Sequence, residues 1–194
     1  MDDDKIALFD MDGTIADYEG KLREDLLRLA SPGEPPPKLH WDDGEPWMEA
    51  RMALIKSQPG WWLRLATIPS GFMVMDLARA AGFDIHILTK GPRRTASAWS
   101  EKLQWCQMII HHDVDITITQ DKGLVYGRVL VDDYPEYMER WLKNRPRGLG
   151  LMPETEYNRD YNHPNVIKYP RTLQPFDTDW GRLEKALKAA FDRA

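Results

Sequence analysis

Four short β-forming runs, residues 6–9, 85–88, 116–119 and 129–131, alternate with stretches of helical spacing, and that alternation constrains the fold more than any other feature. Strands alternating with helices predict a parallel sheet covered on both faces. In open sheets of this kind ligands bind outside the carboxyl ends of the strands. Reactive side chains cluster at those ends here. The first run leads into Asp10-Met11-Asp12-Gly13-Thr14. Two carboxylates two residues apart, just past a strand end, can face one cleft, and Gly13 lets the backbone turn sharply. One can attack as a nucleophile while the other moves a proton. Taken alone, the segment can also be read as two acids capping a turn after an edge strand.

Three more strand ends carry chemistry. Residues 85–88 lead into Thr89-Lys90-Gly91-Pro92, where a hydroxyl and open backbone N–H groups before a helix make a phosphate cradle. A plain turn or N-cap is the alternative for Thr89. Residues 116–119 lead into Gln120-Asp121-Lys122, and a lysine there can neutralise a phosphate and its attacking carboxylate together. Most single lysines are solvated surface residues, so this one gains meaning from its neighbours. Residues 129–131 deliver Asp132-Asp133 to the same edge. Crowded carboxylates repel unless a cation sits among them, and hard oxygen ligands favour Mg²⁺. An acidic turn before Pro135 is the competing reading. The conjunction of acid pair, Thr, Lys and acid pair, in order and all at strand ends, favours an enzyme.

The rest of the chain completes the outline. Helical spacing covers residues 18–29, with Leu22, Leu26, Leu27 and Leu29 near one stripe, and Ser31-Pro32-Gly33-Glu34-Pro35-Pro36-Pro37 must break it. A helix follows over 45–56, and Pro59-Gly60 turns the chain into Trp61-Trp62. Helices are expected over 71–81, 95–105, 135–143 and 177–191, and further strands over 148–152 and 165–168. The sheet unit would comprise residues 1–17 and 70–194, and residues 18–69 would be a helical cap over its catalytic end.

Composition narrows the partners. The net charge of −5 gives no general attraction to nucleic acid polymers or acidic membrane surfaces. No apolar stretch approaches the roughly 20 residues a membrane span needs. Cys106 is the single cysteine, which suits a reducing compartment and reads as a small buried hydrophobe. With the acidic start Met1-Asp2-Asp3-Asp4-Lys5, these features predict a soluble, cytoplasmic protein. Tryptophan is unusual: four of the 8 lie between Trp41 and Trp62. They predict a tightly packed subdomain or a stacking wall for a flat ligand.

The first motif resembles the DxDGT signature of the haloacid dehalogenase-like phosphohydrolases. The chain further resembles their 5′(3′)-deoxyribonucleotidase branch through Ala16-Asp17-Tyr18-Glu19, Pro59-Gly60-Trp61-Trp62, Asp121-Lys122 with Leu130-Val131-Asp132-Asp133, and Asp179-Trp180. The resemblance implies a Rossmann-like three-layer α/β/α fold with a small helical cap, and a Mg²⁺-dependent nucleotidase working through an aspartyl-phosphate. It implies Asp10 as nucleophile and Asp12 as general acid, then base. Asp10, the Asp12 carbonyl and Asp133 would hold Mg²⁺, with Asp132 supporting. Thr89 and Lys122 would bind phosphate, and Tyr18, Trp61 and Trp62 would form an aromatic wall against the base. Trp41 and Trp47 are further pocket candidates, whereas Trp99, Trp105, Trp141 and Trp180 read as core. Two departures stand out: Thr89-Lys90-Gly91-Pro92 replaces the branch's Thr-Ser-Pro, so Lys90 and Arg93 join the phosphate contacts, and Thr14 replaces an apolar residue.

The expected partner is a small nucleotide, with no nucleic acid polymer and no membrane, and a homodimer is left open. Rival readings are a phosphatase for another small phosphomonoester or a polynucleotide 3′-phosphate, and a catalytically silent nucleotide-binding module. His111-His112-Asp113 raises a transition-metal site, but adjacent histidines on an extended chain point to opposite sides.

Overall fold

The structure is a computed structural model that describes residues 5–37, 39, 45–93 and 95–193. Its strands are β1 (Ile6–Phe9), β2 (Asp84–Lys90), β3 (Asp115–Thr119), β4 (Val129–Val131), β5 (Leu149–Pro153) and β6 (Val166–Tyr169). They form one sheet in the order β3-β2-β1-β4-β5-β6, every pair parallel. The expected α/β class is what the chain adopts. β1 lies at the centre, and the chain leaves it first toward β2 and later toward β4. That reversal opens a crevice beyond the carboxyl ends of β1 and β4.

Strand residues divide cleanly between the two faces because successive side chains alternate. Ala7, Phe9, Ile87, Val129, Val131 and Leu151 join the larger core, while Leu8, Leu88, Leu130 and Met152 join a second one. The second core is closed by Met138, Trp141 and Leu142 from α5 (Pro135–Asn144), whose proline occupies the permitted first turn. The larger core is closed by α3 (Pro69–Ala80), α4 (Ala96–Ile109) and α6 (Thr178–Asp192). In α6, Leu183, Leu187 and Ala190 are the buried stripe, with Trp180 and Phe191 only partly buried.

Between β1 and α3 the chain makes α1 (Tyr18–Arg28), α2 (Pro46–Lys56) and a 3-10 turn at Trp62–Arg64. Leu22, Leu26, Met48, Met52 and Ile55 face inward and run into the larger core without a break. Most boundaries fall within two residues of expectation, and two elements run further. β2 extends through Lys90 because Thr89 and Lys90 continue the ladder onto Ile118 and Thr119 of β3. α4 runs past residue 105 because no breaker intervenes before the turn at His112-Asp113.

That turn also corrects one expectation. Residues 111–113 are not extended, and the rings of His111 and His112 lie together, 4.2 Å between centroids, with His112 Nε2 2.9 Å from Asp113. All three are exposed, at the end of the molecule away from the catalytic edge.

Candidate active site

β1 ends at Phe9, and the N–H of Asp10 donates to the carbonyl of Val131, so the first acid stands where β1 and β4 leave the sheet. The loop then turns on Gly13, whose φ of +80° favours glycine. A Cβ there would lie 2.1 Å from Asp133 Oδ2, so the glycine clears the space into which Asp133 projects. At the start of α3, a Cβ on Gly71 would lie 2.1 Å from the Thr14 carbonyl, which lets the helix buttress this loop.

Lys122, carried by the short turn after β3, is 3% exposed and ties the acids together. Its Nζ is 2.6 Å from Asp10 Oδ1 and 2.7 Å from Asp132 Oδ2. Burial opposes its charge, but Asp10 and Asp132 outweigh burial and raise its pKa. Asp132 is fully buried and commits both oxygens, one to Lys122 and one to the N–H of Tyr134. Burial, and then the charge of Asp10, push its carboxyl up to about 7 against the pull of Lys122. Asp133 accepts from the Thr14 hydroxyl and from the Tyr157 hydroxyl. Burial, with Asp10 and Asp132 close by, holds its pKa well above the usual carboxylate range.

Asp12 is differently placed. Its Oδ2 accepts from Lys102 Nζ at 2.5 Å, while Oδ1 is buried with no partner among the described residues. Burial raises its pKa although Lys102 pulls the other way. Lys102 itself is wholly buried, and its Nζ also reaches Thr89 Oγ1 (3.0 Å) and the Lys90 carbonyl (2.8 Å).

Asp10, Asp132 and Asp133 each offer a carboxylate oxygen, all within 4.8 Å of one another. A set of hard oxygens this crowded, with Asp132 and Asp133 both raised above the usual carboxylate range beside a glycine cradle, fits a divalent cation.

A cavity of about 600 Å³ opens over the acids, a size that suits a small organic ligand. Tyr18 and Trp62 line one side, stacked at 5.5 Å with 21° between planes. Lys90, Arg93, Tyr134 and Tyr137 line the other, with Lys90 Nζ 2.7 Å from the Tyr137 hydroxyl and Arg93 Nε 3.2 Å from Gln120. Trp62 is itself 3% exposed and backs Tyr18. Trp61 stands behind the pair, off the cavity lining. It is 2% exposed, meets Tyr18 and Trp62 edge-on, and donates its indole N–H to Asp25. Trp47 is half exposed beside Arg51, away from the cavity, and Trp41 lies outside the described residues. Of the four tryptophans read as core, Trp105 and Trp141 are fully so, and Trp99 and Trp180 only in part.

Sequence reasoning missed Lys102, Glu101, Tyr137 and Tyr157. For the first two a signal existed. Residues 101 and 102 fall three and four positions after Ala98, and four and three before Trp105, which places a charged pair on the buried stripe of α4. Such burial demands partners. Tyr157 carries no such signal, since it enters from the loop after β5, which Asn158 organises by bonding the carbonyls of Asp133 and Pro153.

A model of the family described as 5′ nucleotidase, deoxy (pyrimidine), cytosolic type C protein matches residues 4–165. Proteins provisionally named 5′(3′)-deoxyribonucleotidase from Bordetella pertussis and Bordetella bronchiseptica are each 26% identical over 164 residues, covering 80% of this chain and 86% of theirs. A solved structure provisionally named a haloacid dehalogenase-like hydrolase, from Burkholderia xenovorans, shares the fold with a TM-score of 0.52. That superposition covers 98% of this chain and 99% of the other at 17% identity.

Proposed function

Since the chain belongs to the 5′ nucleotidase, deoxy (pyrimidine), cytosolic type C family, we propose that it hydrolyses deoxynucleoside monophosphates through an aspartyl-phosphate on Asp10, with Mg²⁺ as its cation. The observation that carries this reading is the unequal environment of the two acids of the first motif. Asp10 is paired with the Lys122 ammonium at 2.6 Å at the end of β1, placed to attack. Asp12 has a raised pKa and one buried oxygen with no partner among the described residues, which suits a group that holds a proton for a leaving oxygen.

In the first half-reaction Asp10 attacks phosphorus, the bond from phosphorus to the sugar oxygen breaks, and Asp12 gives its proton to that oxygen. In the second, Asp12 takes a proton from water as the water attacks the acyl phosphate, releasing phosphate and restoring Asp10. Lys122 neutralises the phosphoryl oxygens, and the Thr89 hydroxyl, held by Lys102, keeps its own proton to donate. Asp10, the Asp12 carbonyl and Asp133 would hold the cation, while Asp132 fixes Lys122. When bound, Mg²⁺ would supply positive charge against the crowded carboxylates and the phosphate. Tyr18, backed by the buried Trp62 ring, supplies the stacking face for a base, and Lys90 and Arg93, which also line the cavity, would meet the phosphate. We take residues 18–69 as the cap and 1–17 with 70–194 as the catalytic unit.

The test is phosphate release from 2′-deoxy and ribo 5′- and 3′-monophosphates with Mg²⁺ and then EDTA. Release from deoxynucleotides that EDTA stops is expected. Hydrolysis of a generic aryl phosphate but of no nucleotide would keep the acids' chemistry and discard the nucleotide reading. No hydrolysis of either would leave the silent binding module.

A further inference from the structure

We propose that Glu101 sets the preference of this site for substrates that carry a base, as a positioning residue that acts through Trp62 and does not touch the substrate. The proposal rests on the nucleotidase reading above. Glu101 is 8% exposed, and its two carboxylate oxygens accept from two backbone N–H groups of the inserted segment, Gly60 at 2.8 Å and Trp62 at 3.1 Å. Hydrogen bonds to an ionised acceptor are the strong kind. Burying a carboxylate is costly, so a loop that needed only to be covered would be covered more cheaply by an apolar residue.

The loop so gripped carries Trp62, the ring that backs the Tyr18 wall. The Trp62 ring stacks on Tyr18 on one side and stands 4.7 Å from Lys102 Nζ on another. One turn along α4, Trp105 donates its indole N–H to the Leu65 carbonyl at 2.9 Å. Residues 101 and 105 share a helix face, so α4 holds the same loop at 60, 62 and 65. The neighbouring Lys102 holds Asp12, Thr89 and the Lys90 carbonyl. One rigid helix therefore sets the separation between the stacking face and the acid that serves the leaving oxygen. Loosening the Glu101 end should cost a substrate in proportion to its use of the wall.

The experiment compares kcat/KM for a deoxynucleoside 5′-monophosphate with that for 2-deoxyribose 5-phosphate, which has the same leaving oxygen and no base. In Glu101→Gln one acceptor is replaced by an amide N–H₂ facing a backbone donor. The ratio of the two kcat/KM values should fall about tenfold, the scale of one charge-assisted hydrogen bond, chiefly through KM for the nucleotide. A residue that only maintains the fold would lower both values in proportion, and an unchanged ratio overturns the proposal. Trp105→Phe removes the indole N–H that holds the same loop, with some ring volume besides, and should lower the ratio about threefold. An unchanged ratio in that variant overturns the proposal even if Glu101→Gln does not fold. In the double variant Glu101→Gln with Trp62→Ala the ratio should fall no further than in Trp62→Ala alone. Additive losses would contradict action through Trp62. A wild-type enzyme with no preference for the nucleotide would instead sink the underlying reading, before any variant is made.

Discussion

The strand-end cluster and the described stretch between β1 and α3 are built on different principles. Asp10, Lys122, Asp132 and Asp133 leave the sheet from adjacent or nearby strand ends, where ladder register fixes each starting point. Tyr18 and Trp62 reach the same cavity from helices and turns outside the ladder, held by aromatic contacts and by a few hydrogen bonds from α4. The first arrangement cannot shift without breaking the sheet. The second can shift with the loss of one or two bonds. On the proposed function the edge carries the chemistry and the stretch between β1 and α3 the substrate choice, and variants can separate the two.

The largest effect should follow Asp10→Asn, which removes the attacking anion without changing size. Phosphate release from every phosphomonoester should drop by at least about a thousandfold, with the melting temperature little changed. Equal loss for substrates with and without a base is what the contrast requires. Lys122→Met should lower kcat by about a hundredfold on both classes, because charge stabilisation at the reacting phosphate is lost. It also strands Asp10 and Asp132 in a buried place, so a lower melting temperature is expected alongside. Trp62→Ala breaks the symmetry. KM for a deoxynucleotide should rise about tenfold, because Tyr18 loses the ring that holds it in place for stacking on the base, while 2-deoxyribose 5-phosphate is nearly unaffected.

The smallest effect is a pH dependence that belongs to the edge alone. Asp132 and Asp133 have folded-state pKa values above their unfolded ones, so the native chain binds more protons than the unfolded chain between about pH 4 and 7. Without a divalent cation, these two groups should therefore make stability fall as pH rises through that window. A cation that binds the ionised carboxylates offsets this. Mg²⁺ should raise the melting temperature by a few degrees at pH 8 and by less at pH 5. Equal shifts at both values would argue against a cation among these acids.

The same contrast governs how much could be read from the sequence. The strands, their order of chemistry and the acids at their ends were legible because each is a short contiguous pattern with a local physical meaning. Residues whose role depends on distant partners were not. Lys102 meets Asp12 across ninety positions and Glu101 meets Gly60 across 41, and a helical pattern says only that such residues share a stripe. Which of two adjacent tryptophans reaches the cavity lining depends on a 3-10 turn that begins between them, with Trp61 as its cap and Trp62 as its first residue. The two histidines were misjudged because the alternation rule was applied to a turn.

The most direct measurement is rapid quenching of the enzyme with Mg²⁺ and excess substrate, once with a deoxynucleoside monophosphate and once with 2-deoxyribose 5-phosphate, followed by mass spectrometry of the peptide containing residues 10–12. The account predicts a phosphoryl group on Asp10 with both substrates and none in Asp10→Asn. Steady turnover with no phosphorylated peptide, or with the group on Asp12, would contradict it.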